Sequence, residues 1–341
     1  MTVRKGKIRR MRWWSFGASV AGVLLILGVG IMLWMKPEEN GVWEGEKTVE
    51  PGIGQVVLTL GDGESMPLKR DTNRLIFGGT MLQVRNERGT LVYSRIKSKE
   101  ASEKIVYNTL TVPVRERFQL VLADGTKVFL NSGSEMRYPE RFGKARREVF
   151  LKGEAWFEVA KDSAREFWVH AGAMDVKVLG TSFNVKAYER LETVATTLVE
   201  GSVEVACAGK SFQIVPGEQF VYDKNNRVMD VRMVDTESYV SWKDGYYKFR
   251  QTTLEEIMET LSVWYGLNVF YVNESAKQVE FTGKVKRYED ARMLLDKFEQ
   301  TGDVVFDIKG NNVFITIKQK KPFAREWNSF LVKARGMVWQ S

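Results

Sequence analysis

Cysteine and histidine are all but missing from this chain of 341 residues: each occurs once, as Cys207 and His170. A lone cysteine permits no internal disulfide, so the redox compartment cannot be read from it. Without an evident electropositive neighbour, Cys207 reads as a small half-buried strand residue rather than a reactive thiol. A lone histidine means that any Ser–His or Cys–His pair, or any imidazole zinc site, must use His170, which lies in "FWVHAG" and reads as a strand residue with a structural role. Neither a G-x-S-x-G elbow nor a glycine-rich loop between strand and helix is present, and "NSGSE" at 131–135 carries two serines outside any such motif. The best carboxylate pair is Glu154 and Glu158 in "GEAWFEVAKD". On a strand, residues four apart share a face at about 13 Å, too far for either glycosidase geometry unless the strand bends. No catalytic, cofactor-binding or metal-binding residue is assigned, no cofactor is implied, and the chain is not expected to be an enzyme.

Acidic residues are missing from the first 35 positions, which hold six basic ones: Arg4, Lys5, Lys7, Arg9, Arg10 and Arg12. The segment from 318 onward adds six more bases against Glu326 alone. The formal charge of +8 therefore sits at the two ends, and residues 36–317 keep 39 bases against 42 acids. Nucleic-acid binding loses its main electrostatic support. From Trp13 to Met35 there is no charged residue at all. The 21 residues from Ser15 make about 32 Å of helix, enough to cross a bilayer, with tryptophans at both ends. A cleaved signal peptide has a shorter apolar core and a small-x-small site, whereas this run ends in Leu33-Trp34-Met35. The expectation is a retained transmembrane helix at 13–35 behind a short basic cytoplasmic segment at 1–12. The inner membrane would hold the chain, N-terminus cytoplasmic, with the bulk in the periplasm.

What is abundant is the turn signal. Residues 36–55 carry Pro37, Gly41, Gly45, Pro51, Gly52 and Gly54 and read as a linker. "LTLGDG" at 58–63 is echoed by "LVLADG" at 120–125, and the second predicts a two-residue hairpin loop at Asp124-Gly125 with Leu120 opposite Phe129 and Val121 opposite Val128. Both faces of that ribbon would be apolar and covered, as in a sandwich or a coiled stack of strands. From 193, turns at Glu200-Gly201, Ala208-Gly209, Pro216-Gly217 and Asn225-Asn226 separate short strands. The period changes after Trp242: Thr253 and Glu256 form a capping box, and Leu254, Ile257, Met258, Leu261 and Tyr265 share a helical face that Gly266 ends. A second helix with Ala291, Leu294, Leu295 and Phe298 on one face stops near Gly302. The predicted fold class is mainly β, hairpin-rich and either a sandwich or solenoid-like, at 56–234, plus a small α+β domain at 242–317 with its helices on one side of a sheet, all preceded by the single transmembrane helix. Residues 318–341 form a basic aromatic tail that reads either as a short packing helix, with Phe323, Trp327, Phe330, Leu331 and Met337 on one face, or as a disordered tail. Docking of Trp327 and Phe330 on the α+β domain is the expected use of that face.

Five stretches, in this order and spacing, resemble the FecR family of transmembrane anti-sigma regulators in its Bacteroidota form: "YNTLTVPVRERFQLVLADGTKVFLNSGSEMRYPERF", "REVFLKGEAWFEVAKD", "VLGTSFNVKAY", "TLVEGSVEV" and "VPGEQFVYD". "WKDGYYKFRQTTLEEIMETLSVWYGLNVFY" and "FTGKV" resemble the short N-terminal domain of secretins and TonB-dependent receptors. The resemblance implies a relay. A TonB-dependent transducer in the outer membrane, SusC-like or FecA-like, presents its periplasmic signalling domain. The message then crosses the single helix, with a site-2-type protease involved in many such systems, and frees an extracytoplasmic-function sigma factor that controls iron-chelate or glycan uptake genes. The family's sigma-binding region is mostly helical and many tens of residues long, whereas 12 residues precede Trp13 here, so the expectation is either a reading frame that extends upstream of Met1 or sigma binding that has been lost or passed to another protein. The competing function is a membrane-tethered glycan-binding module presenting some of Trp156, Trp168, Trp242 and Trp264, for most of which core packing is the better explanation.

Overall fold

The computed structural model describes residues 54–68, 74–78, 82–87, 90–95, 105–287 and 290–318. The expected transmembrane helix at 13–35, the basic segment before it, nearly all of the linker and the tail after Lys318 lie outside these residues. Among the described residues, no helix is long and apolar enough to cross a membrane.

Among the described residues, eighteen strands form two layers. The first layer holds β1 (Val56–Thr59), β2 (Ser65–Leu68), β6 (Tyr107–Thr111), β9 (Glu135–Pro139), β11 (Phe167–Ala171), β12 (Met174–Val178), β15 (Val203–Cys207) and β16 (Lys210–Ile214). The second holds β3 (Arg74–Gly78), β4 (Leu82–Glu87), β5 (Thr90–Arg95), β7 (Phe118–Val121), β8 (Lys127–Leu130), β13 (Ser182–Ala187), β14 (Thr193–Glu200), β17 (Glu218–Asp223) and β18 (Val228–Met233). From β11 onward each hairpin goes to the layer opposite the last, so the architecture is a sandwich wound like a coil, and both expected descriptions apply. The long strand β10 (Arg147–Glu158) belongs to both layers: its first half pairs with β9 and β11, its second with β8 and β13. Gly153, at φ +106°, turns the corner between the halves. One apolar core fills the space between the layers, with Val149, Val176 and Val205 from one side meeting Phe183, Leu198 and Phe220 from the other.

The hairpin at Asp124-Gly125 differs from the expected register. Leu120 faces Val128 and Gln119 faces Phe129, because Leu122 and Thr126 close a three-residue loop. Only Gly125 takes positive φ (+87°), and the Asp124 carboxylate accepts from the Thr126 backbone N–H at 3.0 Å and the Thr126 hydroxyl at 2.8 Å, which holds Asp124 out of the left-handed region that a two-residue loop demands. The shift puts Phe118, Leu120, Val128 and Leu130 into the core together and turns Phe129 outward. The earlier "LTLGDG" closes in the same way, Leu60 to Glu64 with Gly63 at +91° and Asp62 accepting from the Glu64 N–H, so the sequence echo is a structural one.

A second core is built from β19 (Tyr246–Thr253), α1 (Leu254–Tyr265), β20 (Asn268–Tyr271), β21 (Glu280–Lys286), α2 (Ala291–Thr301), β22 (Val304–Lys309) and β23 (Asn312–Ile317). The order of elements is the expected one. Thr253 caps α1 by accepting from the Glu256 N–H, Gly266 ends it at φ +68°, and the five residues of the expected apolar face are all buried. The strands do not form one sheet. β19 pairs only with β21, and β20, β23 and β22 make a separate three-stranded sheet. The reason lies in β20 and β21: "LNVFYV" takes β23 as a parallel partner, while "VEFTGKV", after an intervening 3-10 turn at Glu274–Gln278, returns to β19.

Candidate functional site

Strands β10, β13 and β14 have no exposed side over much of their length. Phe157, Phe183 and Leu198 point into the first core, yet their outward-facing neighbours Trp156, Asn184 and Thr197 are buried too. The cover is the second core, to which Trp156 and Phe129 of the sandwich belong alongside Trp242, Tyr247 and Phe249. This junction between the two cores is the candidate site.

At its centre is Glu154, buried just beyond the β10 corner. One carboxylate oxygen accepts from Asn131 Nδ2 at 2.8 Å and the other from Asn184 Nδ2 at 2.9 Å. Asn184 Oδ1 in turn accepts from the Trp242 indole N–H at 3.3 Å, so the chain of bonds runs from the loop after β8, through β10 and β13, to the first residues of the C-terminal unit. Burial pushes the Glu154 carboxyl above the usual range, against the pull of Lys186 and of the two amides. Asn131 Oδ1 is buried without a hydrogen-bond partner. A second set of bonds ties "NSGSE" to the end of α1. The Ser132 hydroxyl donates to the Val263 carbonyl (3.0 Å), and the Arg115 N–H reaches both Ser132 Oγ (3.0 Å) and the Trp264 carbonyl (3.2 Å). The Tyr188 hydroxyl donates to the Ser132 carbonyl at 2.8 Å.

Ion pairs rim the junction: Lys186 with Glu259 and Arg232 with Glu256, each at 3.7 Å. The Arg117 guanidinium also donates to the Lys243 carbonyl. Burial among neighbouring acids raises Glu259 as well, with Lys186 opposing. A cavity of about 180 Å³ remains between the outer face of the second layer and the C-terminal unit, with Glu154, Lys186, Arg232 and Glu259 in its wall. Chemically the arrangement is a clasp: two amides, one carboxylate and one indole bond in series across an interface, with Asn131 Oδ1 left over, and the residues that bond belong to both units.

The residues singled out in the sequence are distributed as follows. Glu154 and Glu158 do share a face of β10, but Trp156 lies between them and donates its indole N–H to Glu158 (3.2 Å), which also pairs with Lys127 at the surface. His170, on β11, bonds Asp175 Oδ1 through Nδ1 at 2.7 Å and stacks on Phe150 at 4.9 Å between ring centres. Among the described residues no group of three or more His, Cys, Asp and Glu side chains could hold a metal ion. Cys207 ends β15 buried in the first core, where desolvation raises its thiol pKa. Trp156, Trp242 and Trp264 are buried, and only Trp168 of the four tryptophans stands half-exposed. Asn131, Asn184 and Ser132, which build the clasp, carry no signal of their own. The only hint is the lack of apolar–polar alternation in "EAWFEVA", the pattern of a strand covered on both faces.

Comparison with known proteins places two family models on the chain: FecR protein over residues 108–204 and FecR, C-terminal, over residues 246–315. No curated protein matches the chain. Two crystal structures of a candidate anti-sigma factor from Parabacteroides distasonis ATCC 8503, at 1.65 and 2.50 Å resolution, match it at 27% identity and a TM-score of 0.57. Each match covers 62% of this chain and 99% or 100% of the other.

Proposed function

We propose that the chain is a regulator of the anti-sigma type that works as a single-pass inner-membrane relay, a reading supported by the FecR protein and FecR, C-terminal, models that match residues 108–204 and 246–315 and by the similar structure of a candidate anti-sigma factor. Its C-terminal unit and sandwich lie in the periplasm and receive the signalling domain of a TonB-dependent outer-membrane transducer. Its N-terminal side acts on an extracytoplasmic-function sigma factor, with a site-2-type protease releasing the signal. The uncharged run at 13–35 behind six basic residues supports the topology. The observation that carries the reading is the clasp. A partner that docks on the C-terminal unit pulls on α1 and Trp242, and both are bonded directly to the sandwich through Ser132 and Asn184, so the load does not stop at the first unit.

The test is cross-linking in living cells with a tagged full-length chain, followed by purification from membranes and mass spectrometry. The reading expects a TonB-dependent transducer on periplasmic probes and an extracytoplasmic-function sigma factor on probes near the N-terminus. Recovery of neither, or digestion of the N-terminus but not of residues 54–318 by protease added to spheroplasts, overturns it.

A further inference from the structure

The three-stranded sheet of the C-terminal unit has one side in the second core and one side open. Val269 and Tyr271 of β20, Val313 and Ile315 of β23, and Val304 and Phe306 of β22 point inward. The alternate residues form an apolar surface on the other side. Phe270 is 47% exposed, Val272 62% and Val305 42%, and Phe270 stacks on Phe314 with ring centres 5.1 Å apart. Asp307 and Lys309, paired at 2.9 Å, flank the stack. A small sheet with a bare aromatic pair on its outer side is half of a layered structure, because a sheet face of this kind is stable when another element covers it.

The chain itself supplies a candidate cover. β23 is the central strand, and Lys318 leaves its end already pinned: its N–H donates to the Asp303 carbonyl at 2.8 Å, and its ammonium caps α2 at the Gly302 carbonyl (2.7 Å). At that same end of the sheet, the Val272 N–H donates to the Ile315 carbonyl. A further 23 residues follow, and Phe323, Trp327, Phe330 and Leu331 fall at helical spacing behind Pro322, a residue suited to the first turn of a helix. Fifteen residues from Phe323 to Met337 make about 22 Å of helix at 1.5 Å each, close to the roughly 20 Å of a six-residue strand such as β23. The connection of four residues, 319–322, reaches about 13 Å, enough to turn from the strand end onto the face. A tether so short would keep such a stripe near the sheet at an effective concentration that a separate molecule must compete with.

We infer that residues 319–341 fold back as a helix on the open face of the β20–β23–β22 sheet, with Trp327 and Phe330 against Phe270, Phe314 and Val272. The tail thereby completes the C-terminal unit as a three-layer element and keeps its aromatic pair out of solvent.

A photo-reactive phenylalanine analogue placed at Phe270 in the full-length chain, illuminated in membranes, tests this. The expected product is internal to one chain and joins the β20 peptide to a peptide from 319–341, and the same analogue at Gln213, on the edge strand β16 of the sandwich, gives no such product. The double variant Trp327→Glu, Phe330→Glu should lower the internal product about tenfold, since each side chain loses the benefit of burial. Cross-linking between two copies, capture of other proteins only, or an internal product that the double variant leaves unchanged each overturns the inference.

Discussion

Glu154 is a carboxylate buried at the junction, and its two amide donors offset only part of the cost of taking it out of bulk water. Its folded pKa stands above the unfolded one, so the folded state binds the proton more readily. The stability it withholds at neutral pH returns as pH falls through the folded value towards about 4.3, the ordinary glutamate range. Glu154→Gln should therefore be more stable than the parent at pH 7–8, with the difference shrinking steadily on acidification to pH 4. Asn131 can turn its amide so that the unpartnered Oδ1 accepts from the new Nε2. Paired melting curves across that pH range check the slope, and a difference that grows in acid would contradict it. Arg147 is the opposite case. It is fully buried, pairs with Asp124 at 2.8 Å and donates to the carbonyls of Ala160 and Arg165. Arg147→Met strands a buried carboxylate and should cost about 3–5 kcal/mol. Asp124→Asn added to it should recover part of the loss, a coupling that chemical denaturation of the four-member cycle would read.

At the level of elements, β10 decides the architecture, because one strand passes from one layer to the other and lets the hairpins on either side of it share a core. The corner needs glycine for two reasons. The backbone stands at φ +106°, and a Cβ there would lie 2.4 Å from Ser134 Oγ and 2.7 Å from Ser134 Cα, of which the second is backbone and cannot move aside cheaply. Gly153→Ala should cost about 3 kcal/mol or more, as a shift of the denaturation midpoint, whereas Gly125→Ala, with nothing within 4 Å of its Cβ, should cost only the strain of its φ, about 1 kcal/mol. Equal losses at the two glycines would count against the corner. The same comparison shows what the sequence discloses. A capping threonine, a terminal glycine and an apolar stripe are local and act within one turn, which is why both ends and the face of α1 are legible. Asp-Gly marks a hairpin but suits a two-residue and a three-residue loop alike, and the choice rests on the Asp124–Thr126 side-chain bonds. Gly153 looks like any other glycine until its neighbours across the sheet are known.

Across the whole molecule, the fold class and most strand positions are legible because they follow from period and punctuation, whereas the junction is not. Its bonds join residues far apart in the chain, Ser132 to Val263 across 131 positions and Asn184 to Trp242 across 58, through side chains that carry no pattern. The proposed relay needs the two cores to be coupled, and among the groups that join them Trp242 is the largest: it is buried in the second core and bonded to the sandwich. Trp242→Phe keeps much of the apolar contact and deletes the bond to Asn184, while Trp242→Ala also opens a cavity, at about 3–5 kcal/mol. If the junction couples the units, hydrogen–deuterium exchange of the full-length chain should show faster exchange across α1 and α2 in Trp242→Ala, with β11, β12 and β15 in the far layer unchanged, and Trp242→Phe should fall between the parent and Trp242→Ala. Faster exchange in both units alike would mean that Trp242 supports global stability rather than the link, and no change in either would mean that the clasp at Ser132 carries the coupling alone.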